Sequence, residues 1–110
     1  MSKIDDVTRL RHILDATTEA CEMISGKTRN SLDTDRTLSL ALVKLTEIVG
    51  EAAANVSKEK QNELSQVPWR DVISMRNRLI HAYFDVDLHI VWQTVTEDLP
   101  LLVEALRIIR

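Results

Sequence analysis

The sequence predicts an all-α, up-and-down bundle of four to five helices, and three observations predict it. Apolar residues recur at three- and four-residue spacing over long stretches, the pattern of helices that bury one face. Only two glycines and two prolines interrupt the 110 residues, too few to punctuate many short strands. Serine, threonine or aspartate stands ahead of most of these helices, where a helix start needs a side-chain acceptor. At 12.6 kDa the chain forms one domain, residues 1–110, with no room for a second core.

Ser2, followed by Asp5, is the expected cap of the first helix, whose stripe reads Ile4, Val7, Leu10, Leu14, Thr17, Cys21 and Ile24. Gly26 suits the end of that helix, because glycine enters the left-handed conformation without steric penalty. The polar connector KTRNSLDTD (27–35) then offers Asp33 or Thr34 as the next cap. The second helix carries Leu38, Ala41, Leu42, Leu45, Ile48, Val49, Ala52, Ala53 and Val56 on one face. Gly50 inside it costs about 1 kcal/mol relative to alanine, which points to close approach of another element. Ser57 caps a short third helix running to about Gln66. Pro68 suits the first turn of a fourth, where its missing N–H is no loss, and that helix is expected from Trp69 to near Tyr83. Asp85 or Asp87 caps the fifth, with Leu88, Trp92, Val95, Leu99, Leu102, Leu106 and Ile109 as its stripe. Pro100 should bend this last helix.

Composition narrows the function. A net charge of −3 argues against broad, sequence-independent nucleic-acid binding, which needs a basic footprint, while leaving room for a small basic cleft. Cys21 is the only cysteine, so the chain has no internal disulfide and no thiolate metal cluster. No apolar run approaches a membrane span, and MSKIDDVTRL lacks a signal-peptide core, so a cytoplasmic location is expected.

The segment MRNRLIHAYFDVD (75–87) bears the chemistry. On an ideal helix, Trp69 and Tyr83 lie about 20° from Arg76, Val72 and Ile80 about 40°, and Ile73 and Leu79 about 60°. Arg76 is then centred in an apolar stripe. His81 lies about 140° away, near Ser74, Asn77 and Arg78. A straight helix cannot aim Arg76 and His81 into one cleft. Either the helix ends or kinks before His81, or the cleft lies at a border that exposes both edges, such as a second chain supplies.

Each of these residues also has an ordinary structural role open to it. An arginine on an apolar stripe can snorkel its guanidinium to water. A histidine near a helix end partners the helix dipole, and a stripe tyrosine packs in a core with its hydroxyl at the rim. The chemical alternative makes His81 a general acid or base titrating near neutral pH, with Arg76 stabilising charge on a phosphoryl oxygen. That pair suits metal-independent RNA cleavage by attack of a ribose 2′-hydroxyl on the adjacent phosphate. His12, His81 and His89 have no ligand-like spacing with carboxylates, and no glycine-rich phosphate loop is present. His12 and His89 receive no function; Trp69, Trp92, Cys21, Met23 and Met75 read as scaffold.

Arg76, His81 and Tyr83 fit the R-x4-H-x-Y motif, and the chain here resembles the HepT-like toxins of the HEPN superfamily. LTEIVGEAAANVS (45–57), VPWRDVISMRNRLIHAYFDVD (67–87) and VWQTVTEDLPLL (91–102) resemble family blocks in order and spacing. Ser74 departs from the pattern, since a glycine often precedes the Met-Arg-Asn. The resemblance implies a HEPN-like bundle that forms a twofold homodimer with both motif copies lining a shared cleft. It implies a toxin ribonuclease of a type VII-like toxin–antitoxin pair, acting on tRNA or mRNA with no cofactor of its own. Arg76 and His81 would be the catalytic pair, with Asn77 assisting. A minimal nucleotidyltransferase antitoxin of the MntA type, using ATP and Mg, would silence the enzyme by attaching AMP to Tyr83. Two other expectations compete: a non-catalytic module that docks a nucleotidyltransferase and holds nucleotide or partner in the motif cleft, and a purely structural dimer in which Arg76 pairs with a carboxylate such as Glu51.

Overall fold

The computed structural model describes residues 5–82 and 85–107, with the backbone alone at 76, 80–82 and 85. The first long helix, α1, spans Asp6–Met23. Its cap is Asp5, whose carboxylate accepts from the Thr8 N–H at 2.8 Å. The expected cap Ser2 lies outside the described residues, as does Ile4. Ile13, Leu14, Thr17 and Ala20 are buried, while Val7 is exposed, so the core face begins one turn later than the stripe implied. After the helix, Gly26 takes φ +76° in a turn closed by the Lys27 N–H on the Ile24 carbonyl.

A one-turn helix, α2 (Ser31–Thr34), occupies the connector and buries Leu32. The next cap is Asp35, not Asp33 or Thr34: its carboxylate accepts from the Leu38 N–H at 3.0 Å and starts α3, Arg36–Ala54. Asp33 instead pairs with Arg29 on the surface. The Ser39 hydroxyl ties α2 to α3 by donating to the Leu32 carbonyl at 2.7 Å. Buried Thr17 and Thr46 satisfy their hydroxyls on the carbonyls of Ile13 and Leu42, four residues back.

Ser57 caps α4 as expected, accepting from the Lys60 N–H, but α4 spans only Lys58–Glu63. Asp6 joins the start of α1 to this cap by accepting from both the Ser57 N–H (2.9 Å) and the Ser57 hydroxyl (2.6 Å). Pro68 stands just ahead of α5 (Trp69–Ile73) rather than inside its first turn. Trp69 is buried, and its indole N–H donates to the carbonyls of Gln61 and Leu64, which fastens α5 to the end of α4.

The expected single helix from Trp69 to near Tyr83 does not form. It breaks at Ser74, resumes as α6 (Met75–Leu79), and then leaves helical geometry altogether. β1 (Ile80–Ala82) pairs antiparallel with β2 (Asp85–Val86) through an irregular register, the one departure from an all-α fold among the described residues. The Asp87 N–H donates to the Leu79 carbonyl at 2.8 Å and closes the base of this hairpin.

Asp87, one of the two caps expected, accepts from the Ile90 N–H and starts α7, Leu88–Gln93. Pro100 interrupts the last helix as a widened turn. Residues Thr94–Asp98 are π-helical, with the Leu99 N–H reaching the Thr94 carbonyl, before α8 runs from Leu99 to Leu106. A π turn accommodates a proline ring that would otherwise clash with the carbonyl four residues back.

The bundle packs around α3, which meets α1 on one side and α5 and α6 on another; α8 also lies on α1. Leu10, Ile13, Leu42, Val49, Val91, Val95 and Leu99 are among the residues that fill the core. Gly50 carries the close approach its presence predicted: a Cβ there would sit 3.3 Å from the Ile73 carbonyl oxygen and 3.4 Å from that of Val72.

Candidate functional site

The motif segment is built on two buried anchors. Met75 and Leu79, four residues apart on α6, are 2% and 0% exposed. Val72 of α5 is equally buried, so the core face of this region is Val72, Met75 and Leu79. Trp69 is buried on the same segment, and the side chain of Arg76 lies outside what is described. Ile73, expected on the apolar flank, is 37% exposed, and Asn77 and Arg78 are exposed as well. The helix also breaks at Ser74, whereas a wheel drawn through residues 69–83 assumes a continuous one. The Asn77 N–H donates to the Ser74 carbonyl at 3.0 Å, bridging the break.

His81 stands on extended backbone in β1, outside α6. The 140° separation from Arg76 that a straight helix imposes does not hold for this chain. The hairpin that carries His81 is fixed at its base by the Asp87–Leu79 hydrogen bond and by the cap of α7 that follows. Residues 80–86 read IHAYFDV; their β-branched and aromatic content favours extended backbone, a signal that helical periodicity overrode. Arg76 and His81 are placed by backbone only, and Tyr83 lies outside the described residues.

Beside Asn77 runs an open groove of about 230 Å³, lined by Glu47, Gly50, Glu51, Ala54, Ile73 and Asn77. Glu47 and Glu51 lie one turn apart on α3, so both carboxylates reach the same groove. The sequence offers Glu51 as a partner for Arg76, and Glu47 stands at i, i+4 spacing from it on the same groove. Next to Asn77 on α6, Arg78 pairs with Asp98 at 3.8 Å, both side chains 43% exposed, a surface contact of small energetic weight. Cys21 is half-buried, and burial raises its thiol above the ordinary value, which makes it a poor nucleophile. Among the described residues no three His, Cys, Asp or Glu side chains gather into a metal-holding group, and no helix is long and apolar enough to cross a membrane.

The helical bundle, with an Arg-x4-His segment crossing a helix end, defines a HEPN-type domain. The chain belongs to the HepT-like ribonuclease family: the family described as ribonuclease HepT-like matches residues 13–109. A Thermococcus cleftensis protein named a probable ribonuclease HepT is 39% identical over 88 residues, covering 76% of this chain and 80% of its own. A Caldanaerobacter subterraneus subsp. tengcongensis protein, named as a candidate RNase, is 37% identical over 91 residues, 83% of this chain and 81% of its own. A Methanocaldococcus jannaschii protein, also named as a candidate RNase, is 29% identical over 109 residues, 99% of this chain and 100% of its own. No solved structure matches the chain.

Proposed function

We propose that the protein is a toxin ribonuclease in which Arg76 and His81 cleave RNA without a metal ion or other cofactor. One observation carries this reading within a ribonuclease family: α6 ends at Leu79, so the helix no longer forces His81 away from Arg76. In the reaction, His81 takes the proton of a ribose 2′-hydroxyl as its oxygen attacks the adjacent phosphorus. The bond from phosphorus to the 5′-oxygen breaks, that oxygen takes a proton from solvent as it leaves, and His81 then gives the proton it took back to solvent. Arg76 stabilises the extra negative charge on the phosphoryl oxygens at the crowded transition state, and Asn77 supplies a polar contact beside it. The products are a 2′,3′-cyclic phosphate and a 5′-hydroxyl. The substrate is a cellular RNA, tRNA or mRNA, met in the cytoplasm.

The functional unit in this reading is a twofold homodimer whose motif copies line one cleft. Ile73, more than a third exposed at the groove beside Asn77, supports an apolar contact there. Control falls to a minimal nucleotidyltransferase antitoxin of the MntA type. The Tyr83 oxygen attacks the α-phosphorus of Mg-bound ATP, pyrophosphate leaves, and the protein carries an adenylyl group two residues from His81. The added bulk and negative charge block the cleft and repel an RNA phosphate, as phosphorylation does elsewhere.

Purified protein should cut RNA in excess EDTA and leave 2′,3′-cyclic phosphate ends. After incubation with the nucleotidyltransferase, ATP and Mg, mass spectrometry should find one AMP per modified Tyr83 and a matching loss of cleavage. Intact RNA after incubation with dimeric, unmodified protein removes the catalytic assignment. It would favour a second reading, a non-catalytic module that docks the nucleotidyltransferase and holds nucleotide in the motif cleft. Glu51 in the groove beside Asn77, together with the net charge of −3, gives that reading its support, because negative charge repels an RNA backbone.

A further inference from the structure

We propose that Gly50 is a positioning residue for RNA cleavage: by admitting the α5 end directly onto α3, it sets where the Arg76–Asn77 turn begins. The inference deepens the ribonuclease reading above and rests on it. Gly50 is buried near the C-terminal end of α3, still within the helix, where alanine would be the better helix former. A Cβ at this position would stand 3.3 Å from the Ile73 carbonyl oxygen, tighter than ordinary contact, and 3.4 Å from that of Val72, both backbone atoms that no rotamer change can move aside. These are the last carbonyls of α5. The next residue, Ser74, closes α5 with its N–H on the Arg70 carbonyl and opens α6 by accepting from the Asn77 N–H through its own carbonyl. A displacement of Ile73 therefore passes through a single residue into the turn that carries Arg76 and Asn77. Met75 and Leu79 hold the rest of α6 in the core, so the strain falls on the junction and not on the whole bundle. Gly50 also lines the groove beside Asn77, together with Ile73.

The test is Gly50→Ala in the full-length protein, compared with wild type and with His81→Ala. The expected result is a fall of about tenfold in kcat for RNA cleavage, since a small misplacement of reacting groups costs rate steeply. KM and the thermal midpoint should stay near wild type, because alanine favours the helix it enters. Amide chemical shifts should move chiefly at residues 72–79. Adding Ser74→Gly, which frees the backbone between α5 and α6, should restore part of kcat without changing the midpoint. Wild-type kcat in Gly50→Ala, beside an inactive His81→Ala, would overturn the positioning role while leaving the catalytic reading intact. An unfolded Gly50→Ala would overturn it too, by making Gly50 a packing residue of the entire bundle. If His81→Ala cleaves as well as wild type, the ribonuclease assignment fails by itself. The shift map then decides the positional claim alone, and unmoved amides at 72–79 would refute it.

Discussion

The α1–α3 pair and the segment from Trp69 to Asp87 solve the same problem in opposite ways. Helices α1 and α3 run 18 and 19 residues without a break, start on aspartate caps, and bury one continuous face. The later segment uses two five-residue helices, a two-stranded hairpin and a hydrogen bond from Asp87 back to Leu79. Long helices gain stability from repeated burial along one stripe. Short ones cannot, and depend on single anchors such as Trp69, Met75 and Leu79. The comparison teaches that the scaffold should respond to mutation in stability, and the motif segment in activity.

The largest stability effect should come from the scaffold. Leu42 is 0% exposed at the centre of α3, and Leu42→Ala should cost about 2–5 kcal/mol in urea unfolding. A loss well under that range would mean that the α1–α3 core collapses around the cavity. Next comes Trp69→Phe, which leaves the Gln61 and Leu64 carbonyls without the indole donor. About 1–3 kcal/mol is expected, with activity falling alongside, because α5 would loosen ahead of the motif. Equal stability with unchanged activity would show that this anchor is dispensable.

Smaller still is the cap of α3. Asp35→Ala should cost about 1 kcal/mol, read by thermal unfolding, with cleavage by the folded enzyme unchanged. The smallest effect concerns pH. The Ser57 hydroxyl and N–H lower the Asp6 carboxyl below its ordinary value of 3.8, so folding favours the ionised form. The stabilisation is present in full above that ordinary value and is lost as pH falls through it toward the lower folded-state value. Asp6→Asn should therefore be less stable than wild type at neutral pH, and the gap should narrow below about pH 4, the unfolded carboxylate range. A gap that holds constant with pH would assign the contact to geometry alone.

The same contrast explains what could be seen from residues alone. Ser57 and Asp87 were legible as caps, and Gly50 as a point of close approach, because each is a local requirement of the backbone. Asp35 was missed because Asp33, Thr34 and Asp35 are equivalent as acceptors until α2 uses the first two within its own turn. The break at Ser74 left no glycine or proline to mark it, and the α5 carbonyls beside it lie against Gly50, more than twenty residues away in sequence. Helical spacing through WRDVISMRNRLIHAY also concealed the change to extended backbone at Ile80. At the site, family likeness singled out Arg76, Asn77, His81 and Tyr83. The groove lined by Glu47 and Glu51 emerged only once α3 was laid beside α6.

The central claim is that His81, released from α6 by the helix end at Leu79, works with Arg76 on a phosphodiester. Its most direct test is the single-turnover rate of RNA cleavage by His81→Ala, measured in EDTA beside wild type of the same oligomeric state. The account predicts a loss of about 10²–10⁴-fold, with little change in the thermal midpoint. Cleavage at the wild-type rate would contradict it.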